Sequence, residues 1–141
     1  MAIKRIGPGF ELDKSMRRFN QFKQTAPRII ANNSLNWFLK GFRKSGGQTD
    51  DSKSGWEARQ PSAKRNAGRG ILVDTGALRR SIKVFKANFK EIIIGTTGIP
   101  YANRHNEGLK GMPKREFIGD SKGLDSDNKK TLVKMLTKVF R

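Results

Sequence analysis

Cysteine is absent from the 141 residues, and histidine occurs once. Without a thiol there is no disulfide framework and no thiolate metal site, so folding needs no oxidising compartment and assembly inside a cell is expected. One histidine and no cysteine also leave nothing from which to build a zinc spacing. That histidine, His105, has no nucleophile motif beside it. A Ser-His-Asp or Cys-His device therefore finds no foothold, and a structural role is expected for it. Long apolar runs are missing as well. Ile92–Ile94 is a strand core, far short of the roughly 18–20 residues that a membrane span requires. Gly7, Pro8 and Gly9 stand where a secretory signal would carry its apolar stretch, so residues 1–10 are expected to be a flexible arm.

Acidic residues are scarce: twelve Asp and Glu face thirty Lys and Arg, a net charge of +18. The excess is spread along the chain. Residues 1–44 carry ten basic and two acidic side chains, residues 45–70 five and three, and residues 71–141 fifteen and seven. Such a field suits either DNA phosphates or acidic protein surfaces, and charge alone does not separate the two. Hydrophobic residues make up 35% of the chain, which is lean for one self-sufficient domain. Some apolar surface is expected to be completed by a partner or by further copies.

What is present begins with periodicity. From Glu11 to Lys44 apolar residues recur every three or four positions, among them Leu12, Met16, Phe19, Phe22, Ala26, Ile30, Phe38 and Phe42, with basic residues between them. This predicts amphipathic helix, and Trp37, Phe38 and Phe42 read as core rather than as a platform for bases. Pro27 is tolerated best in a first turn, so two helices or one kinked helix are expected, with Gln24 or Thr25 as the second cap. Gly46 and Gly47 supply the stop. Residues 45–70 are rich in Gly, Ser, Asp, Lys and Arg and read as one long loop. Its only large apolar side chain, Trp56, either packs back on its own domain or inserts into a neighbouring subunit.

Ile71-Leu72-Val73 runs into Asp74-Thr75-Gly76, where the side-chain oxygens of Asp74 and Thr75 can cap a short helix starting at Gly76 or Ala77. Leu78 and Ile82 share a face of that turn. Beyond Ser81 the spacing becomes strand-like, predicting a hairpin with its turn at Asn88 and a second strand from Phe89 to Gly95. Tyr101, Ala102 and His105 line one side of a short helix ended by Gly108, and residues 108–116 form another loop. A last helix is predicted from Asp125 to Phe140, capped by Asp125 or Ser126. Together these elements predict an α+β fold: long N-terminal helices and a C-terminal helix on a small antiparallel sheet. Asp120, Asp125 and Asp127 look like a calcium loop only superficially, because Lys130 and Leu136 occupy the positions that need Gly and Glu. Asp50 and Asp51 read as a solvated turn. No cofactor or metal site is expected, and no enzymatic activity.

In order and spacing these segments resemble the phage virion-morphogenesis or tail-completion proteins of the Mu G-protein type, which are related to head-tail joining proteins of other tailed phages. The resemblance is carried by Gly55-Trp56-Glu57, by Ile71-Leu72-Val73-Asp74-Thr75-Gly76-Ala77-Leu78-Arg79-Arg80-Ser81-Ile82, by Ile94-Gly95-Thr96, by Tyr101-Ala102 with His105-Asn106 and Gly108, and by Met112-Pro113-Lys114-Arg115-Glu116-Phe117-Ile118-Gly119. It spans about residues 35–120, and Glu116 departs from it where the family more often has Pro. The resemblance implies a non-enzymatic subunit of a homo-oligomeric ring in the virion, at the head-tail junction, meeting connector and tail-tube proteins, with DNA passing through its lumen. It also implies subunit or partner contacts at Trp56, Arg79, Arg80, Tyr101, His105, Arg115 and Phe117, and a structural turn at Asp74, Thr75 and Gly76. The competing reading is a basic DNA-binding protein acting on phosphates through its +18 charge.

Overall fold

The computed structural model of the chain describes residues 12–60 and 68–141; the arm expected at residues 1–10, and residues 61–67 of the expected loop, lie outside the described residues. The fold is α+β and mostly helical. In order it comprises α1 (Leu12–Lys44), a single 3-10 turn (Asp50–Ser52), α2 (Ala77–Ser81), β1 (Ile82–Ala87), β2 (Ile92–Thr96), α3 (Ala102–Glu107) and α4 (Lys122–Val139).

Phe22, Ala26, Ile30, Ser34, Phe38 and Phe42 are buried at strict four-residue intervals, which makes one face of α1 a continuous strip for other elements to cover. The two helices or kinked helix expected around Pro27 are instead this one 33-residue helix, with Pro27 buried inside it. Proline there removes one intrahelical hydrogen bond, at a cost of about 3 kcal/mol. Packing on both sides of the proline offsets this. On one side Asn128 of α4 donates to the Ser34 hydroxyl at 3.1 Å, and on the other Val139 packs on Phe22 and Ala26. Thr25 caps nothing; its hydroxyl donates to the Gln21 carbonyl one turn back. At the C-terminus Ser45 takes a left-handed conformation (φ 57°) and the Gly46 N–H returns to the Gly41 carbonyl at 2.8 Å, closing the helix one residue before the glycines.

α4 runs antiparallel to α1 and starts earlier than predicted. Its cap is Ser121, whose Oγ accepts from the Leu124 N–H, rather than Asp125 or Ser126. Gly123 masked this start, because glycine normally argues against a helix. Here it is needed for contact: a Cβ at position 123 would lie 3.0 Å from the Trp37 ring.

The predicted hairpin forms, with Ile82 opposite Thr96, Val84 opposite Ile94 and Ala87 opposite Ile92. Phe85 is the extra residue of a bulge between Val84 and Lys86, and its exposed ring covers Gly95. At the turn the Asn88 Oδ1 accepts from the N–H groups of Lys90 and Glu91, both at 2.9 Å. Phe89 at the tip then meets the Phe22 ring edge-on at 6.2 Å.

Two apolar clusters result. The larger joins Phe42, Trp56, Leu78, Ile82, Ala102 and Phe117, flanked by Ile71, Leu72 and Val73; the smaller joins Phe22, Ala26 and Val139. Phe38 is buried, while Trp37 is half-buried and donates its indole N–H to the Gln48 carbonyl at 2.7 Å. The described part of the 45–70 loop is therefore tied down. Thr49 and Ser52 bond to each other and are buried, and Trp56 donates its Nε1–H to the Glu116 carbonyl at 2.9 Å. Asp50 and Asp51 are no mere solvated turn: the Asp50 carboxylate accepts from the Lys122 N–H at the start of α4, and Asp51 pairs with Lys114 at 2.6 Å.

Replacing Trp56 with Ala is expected to lower unfolding free energy by about 3–5 kcal/mol, through lost burial and a cavity. Trp56→Phe, which keeps most of the ring and removes the bond to Glu116, is expected to cost about 1–2 kcal/mol. Urea unfolding followed by far-UV circular dichroism checks the order; equal effects would show that the ring contributes nothing beyond its hydrogen bond.

Candidate functional site

Residues 71–82 cross the rim of the larger cluster. Leu72 sits at a positive φ of 60°, unusual for a branched side chain, and Gly76 at 78° turns the backbone into α2. The N-cap position of α2 is Gly76, which has no side chain to cap with; of the two expected caps Thr75, one residue earlier, accepts from the Ala77 N–H through Oγ1 at 3.3 Å, while the Asp74 carboxylate accepts from Arg69 at 2.8 Å. Leu78 and Ile82 point into the core, as their spacing implied.

This turn forms one wall of a cleft of 380 Å³ whose other walls include Tyr101, His105, Met112, Arg59 and Arg115. Six of the sequence-predicted residues thus come together: Asp74, Thr75, Gly76, Tyr101, His105 and Arg115. Arg79 and Arg80 do not join them. They are exposed on the other side of the same turn, where a second depression is lined by Arg79, Arg80, Leu39 and Ile82 together with Asp74, Thr75 and Gly76, and Arg80 folds back to the Thr75 carbonyl at 3.0 Å. Trp56 and Phe117 lie beneath the cleft in the core, 7% and 3% exposed. The Trp56 ring packs back on its own domain, one of the two placements expected for it, and both rings are surrounded by the chain's own residues. Arg115 is likewise 8% exposed and donates to the carbonyls of Glu57 at 2.9 Å and Ala58 at 3.2 Å.

Sequence reasoning assigned no role to Asn106, yet it organises the last loop. Its Oδ1 accepts from the N–H groups of Phe117 (3.0 Å) and Ile118 (3.1 Å), while its Nδ2 donates to the Ile118 carbonyl at 3.0 Å. The only available signal was its position between His105 and the αL glycine Gly108. Arg59 was missed too; it bonds the carbonyls of Gly70 and Val73 and so holds the wall opposite His105. Its signal was nothing more than a cation in a polar loop.

Electrostatically the cleft is cationic at its base. Burial first, and the Arg115 guanidinium second, push the His105 pKa below its ordinary 6.5. The Nδ1 atom is buried with no hydrogen-bond partner, and Tyr101 meets the ring edge-on at 5.9 Å. Among the described residues no group of three His, Cys, Asp or Glu side chains could hold a metal ion. What the cleft offers chemically is an imidazole, hydroxyls, guanidinium groups bonded to backbone carbonyls, and the Asp74 carboxylate paired with Arg69.

No family model matches the chain, and neither does any curated protein or solved structure. No helix among the described residues is long and apolar enough to cross a membrane.

Because His105 is harder to protonate folded than unfolded, its contribution is fully present above the unfolded pKa of 6.5 and is lost as pH falls through the lower folded value. Wild-type thermal midpoints are therefore expected to fall more steeply than those of His105→Gln as pH drops below 6.5. Parallel pH profiles for the two proteins would contradict the direction of the shift. Asn106→Ala is expected to lose about 1–3 kcal/mol at any of these pH values, read from the same melts.

Proposed function

We propose that the chain is a structural subunit of a tailed-phage neck, a tail-completion or head-tail connector protein that works as a ring between head connector and tail tube and catalyses no reaction. The observation that carries this reading is that the segments bearing the family resemblance meet in one packed unit. Glu57 and Ala58 accept from Arg115, Trp56 bonds Glu116, Asn106 holds Phe117 and Ile118, and the Asp74–Leu78 turn faces Tyr101 and His105. Residues brought from four separate stretches into one construction fit a motif that specifies a fold.

Exposed apolar side chains support the structural-subunit part. Leu12, Met16, Val133 and Phe140 are each more than half exposed, and so are Phe85 and Phe89. Where such side chains adjoin, as Leu12 and Met16 do one turn apart on α1, they form apolar surface of the kind that other chains cover. In a ring each interface is heterologous, one face meeting a different face of the next copy, so separate apolar areas on one subunit are what the symmetry demands.

A second reading, binding of DNA phosphates, is favoured by the charge on the long helices. α1 and α4 carry eight and five basic side chains against one and two acidic ones. Among the described residues none of these cations forms a salt bridge within its helix pair.

Particles assembled without this chain are expected to accumulate as filled heads separate from tails. Electron microscopy of complete particles is expected to show it as a ring at the head-tail junction; normal particles without it would reject the assignment. For the second reading, duplex affinity of the purified protein should fall steeply between low and physiological salt. Absence of binding at low salt removes that reading.

A further inference from the structure

The seam between α1 and α4 is covered by the hairpin tip near Phe22 on one flank. Along a single flank of the same seam lie two open depressions of 450 and 600 Å³. The first is lined on α1 by Arg18, Phe22, Thr25 and Ile29, the second by Asn33, Asn36, Lys40 and Arg43. Those eight positions follow one another at intervals of three or four residues, so they form a single stripe and the two depressions are one groove. At about 1.5 Å of rise per residue the stripe is ~38 Å long. On α4 the matching stripe runs through Lys138, Met135, Thr131 and Asp127 to Leu124.

The groove is uneven in a way that defines its occupant. Its floor toward the chain termini is apolar, with Phe22, Ile29, Met135 and Val139, and Ile29 is 40% exposed. Its edges carry Arg18, Lys138, Lys40, Arg43 and Lys130, with Asp127 as the one carboxylate among the described lining residues. We infer that this groove is the docking site for an acidic amphipathic helix of a partner protein, whose apolar stripe covers Ile29 and Met135 and whose carboxylates meet the basic edges. Two antiparallel helical walls and a floor that is apolar at one end match a third helix laid along the pair.

Charge decides against the other occupants. A second copy would have to present carboxylates, yet α1 and α4 carry three between them, Asp13, Asp125 and Asp127, against thirteen cations, so helix would repel helix. A nucleic-acid backbone would satisfy the basic edges and leave the aliphatic floor exposed to phosphate and water. An acidic helix satisfies both. The inference concerns the chemistry of a partner and is tested on the isolated chain, so it and the ring assignment can fail separately.

The test uses the purified 141-residue chain and a fluorescently labelled synthetic helix of about 26 residues, long enough for the groove, with Leu at i, i+3, i+4 and i+7 and Glu elsewhere. Saturable one-to-one binding is expected in about 0.15 M salt. A scrambled peptide of the same composition is expected to bind at least about tenfold more weakly, as are Lys130→Glu with Lys138→Glu, and Ile29→Asp, toward the original peptide. Lys83→Glu, on β1, should change nothing. Ile29 is partly exposed, and melts recorded by circular dichroism verify that its variant folds; if it does not, the charge-reversal pair carries the decision. The inference is overturned by equal affinity for the scrambled peptide, by no binding, or by equal losses in Lys83→Glu. It is also overturned if a DNA duplex displaces the peptide and binds more tightly through the same lysines, or if light scattering shows self-association that Ile29→Asp abolishes.

Discussion

Phe42, Trp56 and Phe117 meet at one point, with Phe42 edge-on to Trp56 at 5.4 Å and tilted against Phe117 at 5.8 Å. They come from the end of a helix, from a loop and from a second loop far along the chain. A buried aromatic cluster of this kind supplies a large apolar area and a defined geometry together. Because Trp56 also needs a partner for its indole N–H, the contact selects one position for the Glu116 backbone. Arg115 and Asn106 then settle the residues on either side. The cleft, the α2 turn and the short helix α3 all stand on this cluster, which is how a lean chain of 141 residues holds the described parts of two long irregular stretches in place.

Satisfying backbone groups in those stretches takes polar side chains instead of regular structure. Asp50 illustrates the trade. Partial desolvation works to raise its pKa, but bonds from Lys53 and from the Lys122 N–H, at the positive end of α4, outweigh it and hold the carboxyl below its ordinary value. One carboxylate thereby attaches the loop after α1 to the start of the last helix. The Trp37 indole bonded to Gln48 and the Cβ-free contact at Gly123 attach the same two regions from the other side. α4 is anchored at its start by polar bonds and at its end by apolar packing of Val139, and the open groove lies along the flank between them.

Local patterns were legible where one physical rule dominated. Four-residue periodicity predicted α1, alternation and Asn88 predicted the hairpin, and Gly108 marked the end of α3. Reading failed where two rules competed. Pro27 argued for a break, but contacts with α4 on both sides outweigh one missing hydrogen bond. Gly123 argued for a loop, but Trp37 needs the space of its absent side chain. In the candidate site, the turn from Asp74 to Gly76 was legible, but the gathering of Tyr101, His105 and Arg115 beside it was not. The inward burial of Trp56, Phe117 and Arg115 was not, because a polar sequence context does not reveal which carbonyls will need an indole or guanidinium donor.

By itself the sequence determined the α+β class, the lack of any thiol chemistry, the positive charge and the order of elements, since each depends on composition or on spacing along a few neighbouring residues. Only the tertiary structure decided which flank of the helix pair stays open, which cations line it, and which three aromatic rings form the centre. Those outcomes rest on contacts between residues tens of positions apart. Side-chain volume, and the need of every buried donor for an acceptor, choose among arrangements that local spacing leaves equal.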